Sequence, residues 1–208
     1  LAAVEQLGVF GGERIPDGGT VLMHSYSSSL MGCFEAASAA GKRFTVICTE
    51  SRPLRESRLA VDVLHRLGQH VVYITDAEVY EFMRGADLVI MGADSLASDG
   101  SVANKMGTAM IARLARSLGI PVYIASELYK YDERTMRGRA IELERRVASE
   151  IVSEGDFRNG EPEVINQFFD LTPATDVTAI VCEHGLIAPA SVSAHWEQLK
   201  EELMKGVE

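Results

Sequence analysis

Six short apolar runs punctuate the chain, at residues 21–23, 44–48, 71–74, 88–91, 122–124 and 179–181. Each is nearly unbroken rather than alternating, the pattern of strands covered on both faces, as in a parallel sheet. Segments with helical spacing lie between them. Residues 29–40 are rich in alanine and stop at Gly41. Residues 58–67 set Leu59, Val63, Leu64 and Leu67 on one face, with Gly68 suited to the C-cap. Residues 104–118 carry Met106, Met110, Leu114 and Leu118 at steps of four, and Gly119 and Pro121 end that helix. Strand–helix alternation of this kind predicts an α/β fold, a doubly wound and mostly parallel sheet with helices on both faces. Residues 134–166 are polar and charged and read as an excursion between the fifth and sixth strands. The opening stretch LAAVEQLGVF has apolar helical spacing. Residues 1–17 therefore read as the end of an N-terminal helical segment whose earlier part is missing, and residues 18–208 as the α/β domain.

Composition narrows the function classes. The chain has 208 residues, 47% apolar, enough for one domain with a proper core. Asp plus Glu number 30 against 20 Lys plus Arg, a net charge of −10, which argues against nonspecific binding to nucleic acid or to an anionic membrane. No run approaches the roughly 18 apolar residues of a membrane span. Cys33, Cys48 and Cys182 are odd in number, far apart and set among apolar residues, so they read as buried free thiols of a reducing, cytoplasmic setting. The five histidines lack ligand spacing, and no metal or other cofactor is expected. GxGxxG does not follow the first strand and GxxxxGK[ST] is absent, which leaves dinucleotide and Walker-type nucleotide binding without support.

Ligands of an open parallel sheet bind beyond the carboxyl ends of its strands. Polar residues gather there. The first strand runs into MHSYSSS at 23–29, the second into Thr49-Glu50-Ser51-Arg52, the third into Thr75-Asp76, the fourth into Gly92-Ala93-Asp94 and the fifth into Ser126-Glu127, with Lys130 close behind. Two helix starts suit an anion, because free N–H groups and the helix dipole favour negative charge. One is Ser27-Ser28-Ser29. The other is Asn104-Lys105-Met106-Gly107-Thr108, where a lysine opposes the dipole unless it answers an anion. Either start alone reads more simply as an ordinary cap or a solvated lysine. Both on one edge, with Lys130 as a third donor, favour an anion site. Asp94 sits among these cations and could orient Lys105 or act as an acid–base group toward a sugar hydroxyl or carbonyl. Glu50 and Arg52 read as a pair with each other.

The segments HSYSSS, TESRP, GADSLASDG, NKMGT, SELYKYD and FFDLTP…VCEHGLI share the order and spacing of one superfamily. From about Gly18 to Val192 the chain resembles the group of the regulatory alpha, beta and delta subunits of translation initiation factor 2B. The same group includes the isomerases of methylthioribose-1-phosphate and ribose-1,5-bisphosphate. The resemblance implies a Rossmann-like domain, a homodimer or higher assembly and a phosphorylated pentose as ligand. It also implies Asp94 as proton donor, Asn104 and Lys105 as substrate-binding residues, Lys130 as a ligand contact and Ser27, Ser28 and Ser29 as the loop at the phosphosugar. Two features depart from the isomerases. Ser25 stands where they have the cysteine that takes the sugar proton, and their N-terminal helical segment, with further phosphate contacts, is absent from these residues. A thiol can be brought into the working pH range, whereas an aliphatic hydroxyl is far too weak an acid to rest as a base. His24, adjacent on a strand, is expected to point to the other face, away from Ser25. Three readings follow: a phosphosugar-binding protein with weak or no catalysis, an active aldose–ketose isomerase using another base (Glu50 and Asp76 first), or an assembly subunit with a vestigial pocket.

Overall fold

In this computed structural model, which describes residues 2–205, the helices are α1 (Ala2–Arg14), α2 (Ser28–Ala39), α3 (Ser57–Arg66), α4 (Val79–Met83), α5 (Thr108–Ser117) and α6 (Val192–Lys205). The strands are β1 (Thr20–Met23), β2 (Thr45–Thr49), β3 (His70–Ile74), β4 (Leu88–Gly92), β5 (Ser95–Leu96), β6 (Val102–Lys105), β7 (Val122–Ala125), β8 (Arg145–Arg146), β9 (Asn166–Gln167), β10 (Phe169–Thr172), β11 (Ala179–Cys182) and β12 (Gly185–Ile187). Seven of them form one sheet in the order β12-β11-β7-β4-β1-β2-β3, parallel except for β12, which runs antiparallel to β11. All six strands expected from the apolar runs are present, and the fold is the mostly parallel α/β architecture.

The unbroken apolar runs have a direct cause, for successive residues feed opposite cores. Leu22, Ile47, Val89 and Met91 face a layer with Met83, Ile111, Ala112 and Val192. Val21, Met23, Val46, Cys48 and Ile90 face the other layer, with Leu7, Leu30, Phe34 and Leu64. Helix α1 lies directly on α2. A Cβ at Gly8 would come within 2.9 Å of the Gly32 carbonyl oxygen, so the two backbones touch where only glycine fits. Cys33, Cys48 and Cys182 are free and buried, and burial pushes each thiol up to about 12.

Three local expectations are corrected. Asn104 and Lys105 do not open a helix. They close β6, which pairs antiparallel with β10, and α5 begins only after Gly107 at φ 108. The Met106–Met110–Leu118 stripe faces outward at 38–48% exposure, while Thr108, Ile111, Ala112 and Ala115 let α5 approach the sheet closely. On α3, Leu59 is likewise exposed, and Ala60 and Leu64 make the contact. The excursion at 134–166 is mostly irregular, with single 3-10 turns, and it returns through the β8–β9 pair into β10. The apolar runs do not announce the small sheet β10-β6-β5.

Candidate functional site

The carboxyl end of β1 is built around His24. Its ring is buried. Nδ1 accepts the Thr49 hydroxyl at 2.6 Å, and Nε2–H donates to the Met106 carbonyl at 2.8 Å. The carbonyl can only accept, which fixes the proton on Nε2. His24 thus ties β1, β2 and the turn before α5 together. A Cβ at Gly107 would lie 3.1 Å from that ring. Burial lowers the His24 pKa below 6.5, only partly offset by the Met106 carbonyl and by Asp76, 3.9 Å away. A histidine depressed on folding stabilises the fold above its unfolded value, and that contribution is lost as pH falls from there through the lower folded value. The urea midpoint should therefore drop between about pH 7 and pH 5, and a His24→Gln chain should drop less. Equal drops would remove His24 from the account.

Ser25 follows at φ 64, a left-handed backbone that non-glycine residues adopt only where surroundings hold them. Its N–H donates to Ser51 Oγ at 2.6 Å. Ser51 is itself left-handed, at φ 59. The Ser27 hydroxyl caps α2 by accepting the Leu30 N–H at 3.4 Å, Ser28 is exposed, and Ser29 is buried with its hydroxyl donating to Glu127 at 2.8 Å. The serine loop packs on the end of β4, for a Cβ at Gly92 would meet Ser27 Cβ at 2.5 Å. That packing brings Asp94 to the same edge. The Asp94 N–H donates to the Ala103 carbonyl at 2.9 Å, and its side chain is exposed. Neighbouring protein still desolvates it enough to raise its pKa, opposed by the Lys130 and then the Lys105 ammonium. Lys130 Nζ donates to the Ala93 carbonyl at 2.8 Å.

The second helix start already holds a carboxylate. Asp170, from β10, accepts the N–H groups of Gly107 at 2.7 Å and Ala109 at 3.2 Å, taking two of the donors at the start of α5. Lys105 is 3% exposed. Its ammonium pairs with Glu56 and lies 3.2 Å from the Phe168 ring centroid, and Arg146 stacks on the same ring at 4.4 Å. Burial lowers the Lys105 pKa against the opposing pull of Glu56. Asn104 is buried and donates to the Thr108 hydroxyl at 2.9 Å. Glu50 and Arg52 do not pair with each other. Glu50 lies 3.4 Å from Arg55, and Asp76 accepts the N–H groups of Ser51 and Arg52 at 2.8 Å each. Those two carboxylates are committed to the turn. Glu56, Arg146 and Asp170 escaped the sequence reading because their contacts join distant segments. Among the described residues no cluster of three or more His, Cys, Asp or Glu side chains could hold a metal. A cavity of about 370 Å³ adjoins this edge through Arg52 and Met106.

The sequence profile of the initiation factor 2 subunit family matches residues 1–189. The chain belongs to this family. Ribose 1,5-bisphosphate isomerase of Haloferax volcanii is 37% identical over 191 residues, covering 91% of this chain and 59% of that one. Methylthioribose-1-phosphate isomerase of Desulforudis audaxviator is 38% identical over 202 residues, covering 91% and 58%. Among solved structures, the delta subunit of translation initiation factor eIF-2B from A. fulgidus superposes with a TM-score of 0.81 at 33% identity, covering 91% of this chain and 59% of that one. The 5-methylthioribose 1-phosphate isomerase of Pyrococcus horikoshii gives 0.80 at 26%, covering 95% and 60%. The chain spans less than two thirds of the length of these family members. No described helix is long and apolar enough to cross a membrane.

Proposed function

We propose that the chain binds a phosphorylated pentose at the carboxyl edge of its sheet, and that its isomerase chemistry is weak because Ser25 fills the base position. The observation that carries this reading is Asp94, exposed beside the serine loop with Lys130 and Lys105 as its strongest opposing charges. Isomerising a furanose 1-phosphate to the ketose moves one proton from C2 to C1 and one from the C2 hydroxyl to the ring oxygen. Asp94 suits the second transfer, since its raised pKa keeps more of it protonated than an ordinary aspartate. The first transfer needs a carbon base, which an aliphatic hydroxyl does not supply. Ser27, Ser28, Asn104, Lys105 and Lys130 hold the sugar phosphate in this reading, and Ser29 supports the loop from behind. Lys105 takes part by exchanging the Glu56 carboxylate for the ligand.

A ketose-formation assay on ribose 1,5-bisphosphate decides the catalytic half, with slow but Asp94-dependent turnover expected. Ordinary enzyme rates would favour the second reading, an active isomerase, which the raised pKa of Asp94 keeps in play. In this proposal the three buried thiols fit a cytoplasmic setting. The homodimer expected from the family resemblance belongs here too, formed mainly by the chain after about Ile120. A monomer by light scattering at micromolar concentration would contradict it.

A further inference from the structure

Behind the serine loop lies a buried carboxylate that the proposed chemistry leaves unused. Glu127 follows β7 and is 2% exposed. Its Oε2 accepts the Ser29 hydroxyl at 2.8 Å, and the Lys130 ammonium stands 3.5 Å from the same oxygen. Lys130 also donates to the carbonyl of Ala93, the peptide that leads into Asp94. We propose that Glu127 is a positioning residue for Asp94, acting through Lys130: it holds the ammonium back and shares its charge, so that Lys130 only partly offsets the charge of Asp94. This rests on the reading of Asp94 as the proton donor.

An ammonium has three donors. One is spent on the Ala93 carbonyl and one faces Glu127, which leaves the third for Asp94 or a bound phosphate. The charges acting most on Asp94 are Lys130 and then Lys105, which oppose its raised pKa, and Glu56 and Glu144, which add to it. Whatever fixes Lys130 therefore has the strongest lever on the donor. A purely structural Glu127 would only tie α2 to β7 through Ser29, and its loss would leave the titration of Asp94 where it was.

The test is the pH titration of the Asp94 carboxyl carbon by NMR in the 208-residue chain labelled at aspartate, assigned with Asp94→Asn. Glu127→Gln should lower the Asp94 midpoint, because the freed ammonium turns toward it. Lys130→Met should raise it, and the double variant should match Lys130→Met alone. An unmoved midpoint in Glu127→Gln, or the same shift when Lys130 is already methionine, would overturn the proposal. Should Glu127→Gln fail to fold, Ser29→Ala reads the same coupling with the opposite sign. Glu127 then turns fully to Lys130 and the Asp94 midpoint rises, and no change would again overturn it. Ribose 1,5-bisphosphate binding is measured on the same samples. A wild type that binds none overturns the donor reading itself, whatever the titrations show.

Discussion

Replacing Ser25 with cysteine is expected to raise the rate of ribose 1,5-bisphosphate isomerisation by about 10²–10⁴, the usual worth of one well-placed acid–base group. The exchange changes one atom at a position whose backbone is already set, by φ 64 and by the N–H bond to Ser51, so the thiol inherits the place of the hydroxyl. Among the described residues the existing hydroxyl has no hydrogen-bond partner to activate it. His24 is the obvious neighbour, but the Thr49 hydroxyl occupies Nδ1 and the Met106 carbonyl takes the proton on Nε2. Strand alternation, expected to point His24 away from Ser25, does not apply, since His24 lies one residue past β1. Ser25→Cys combined with Asp94→Asn should show no gain, because the second proton transfer is then lost. A rate unchanged by Ser25→Cys alone would mean that this position does not limit the chemistry.

Lys105→Ala is expected to weaken phosphopentose binding by about 1.5–3 kcal/mol, the range for a buried hydrogen bond to a charged group, or roughly tenfold or more in affinity. Two effects act together. The phosphate loses a charged donor, and the Glu56 carboxylate is left beside the site without its cation. Adding Glu56→Gln to Lys105→Ala should therefore recover part of the loss, and calorimetry on the two single variants and the double isolates the coupling. Affinity unchanged in Lys105→Ala would show that Glu56 keeps the ammonium in the complex, and Lys105 would cease to be a ligand.

What the sequence made legible was local. Apolar runs marked the six strands because a strand buried on both faces leaves its imprint on consecutive residues. Asp94 and the serine loop were found from position alone, since the ends of parallel strands converge on one edge. Lys105 was misplaced because NKMGT, followed by apolar residues at steps of four, satisfies the helical pattern. What overrides it is the β10 ladder, which sets Phe169 opposite Lys105 and Asp170 opposite Asn104. Those partners lie more than sixty residues downstream, as does the carboxylate that caps α5. Ser29 and Glu127 are 98 residues apart, and no periodicity announces such a pair. Tertiary pairing of distant charges decided which cations are free, and it left Lys130 the more accessible of the two lysines.

The central claim is that this edge of the sheet receives a phosphorylated pentose, and calorimetric titration of the chain with ribose 1,5-bisphosphate tests it most directly. The account predicts saturable binding of one molecule per chain, weakened by Lys130→Met and by Lys105→Ala and retained in Ser25→Ala. Heats of mixing no different from ligand into buffer, or binding indifferent to both lysines, would contradict it.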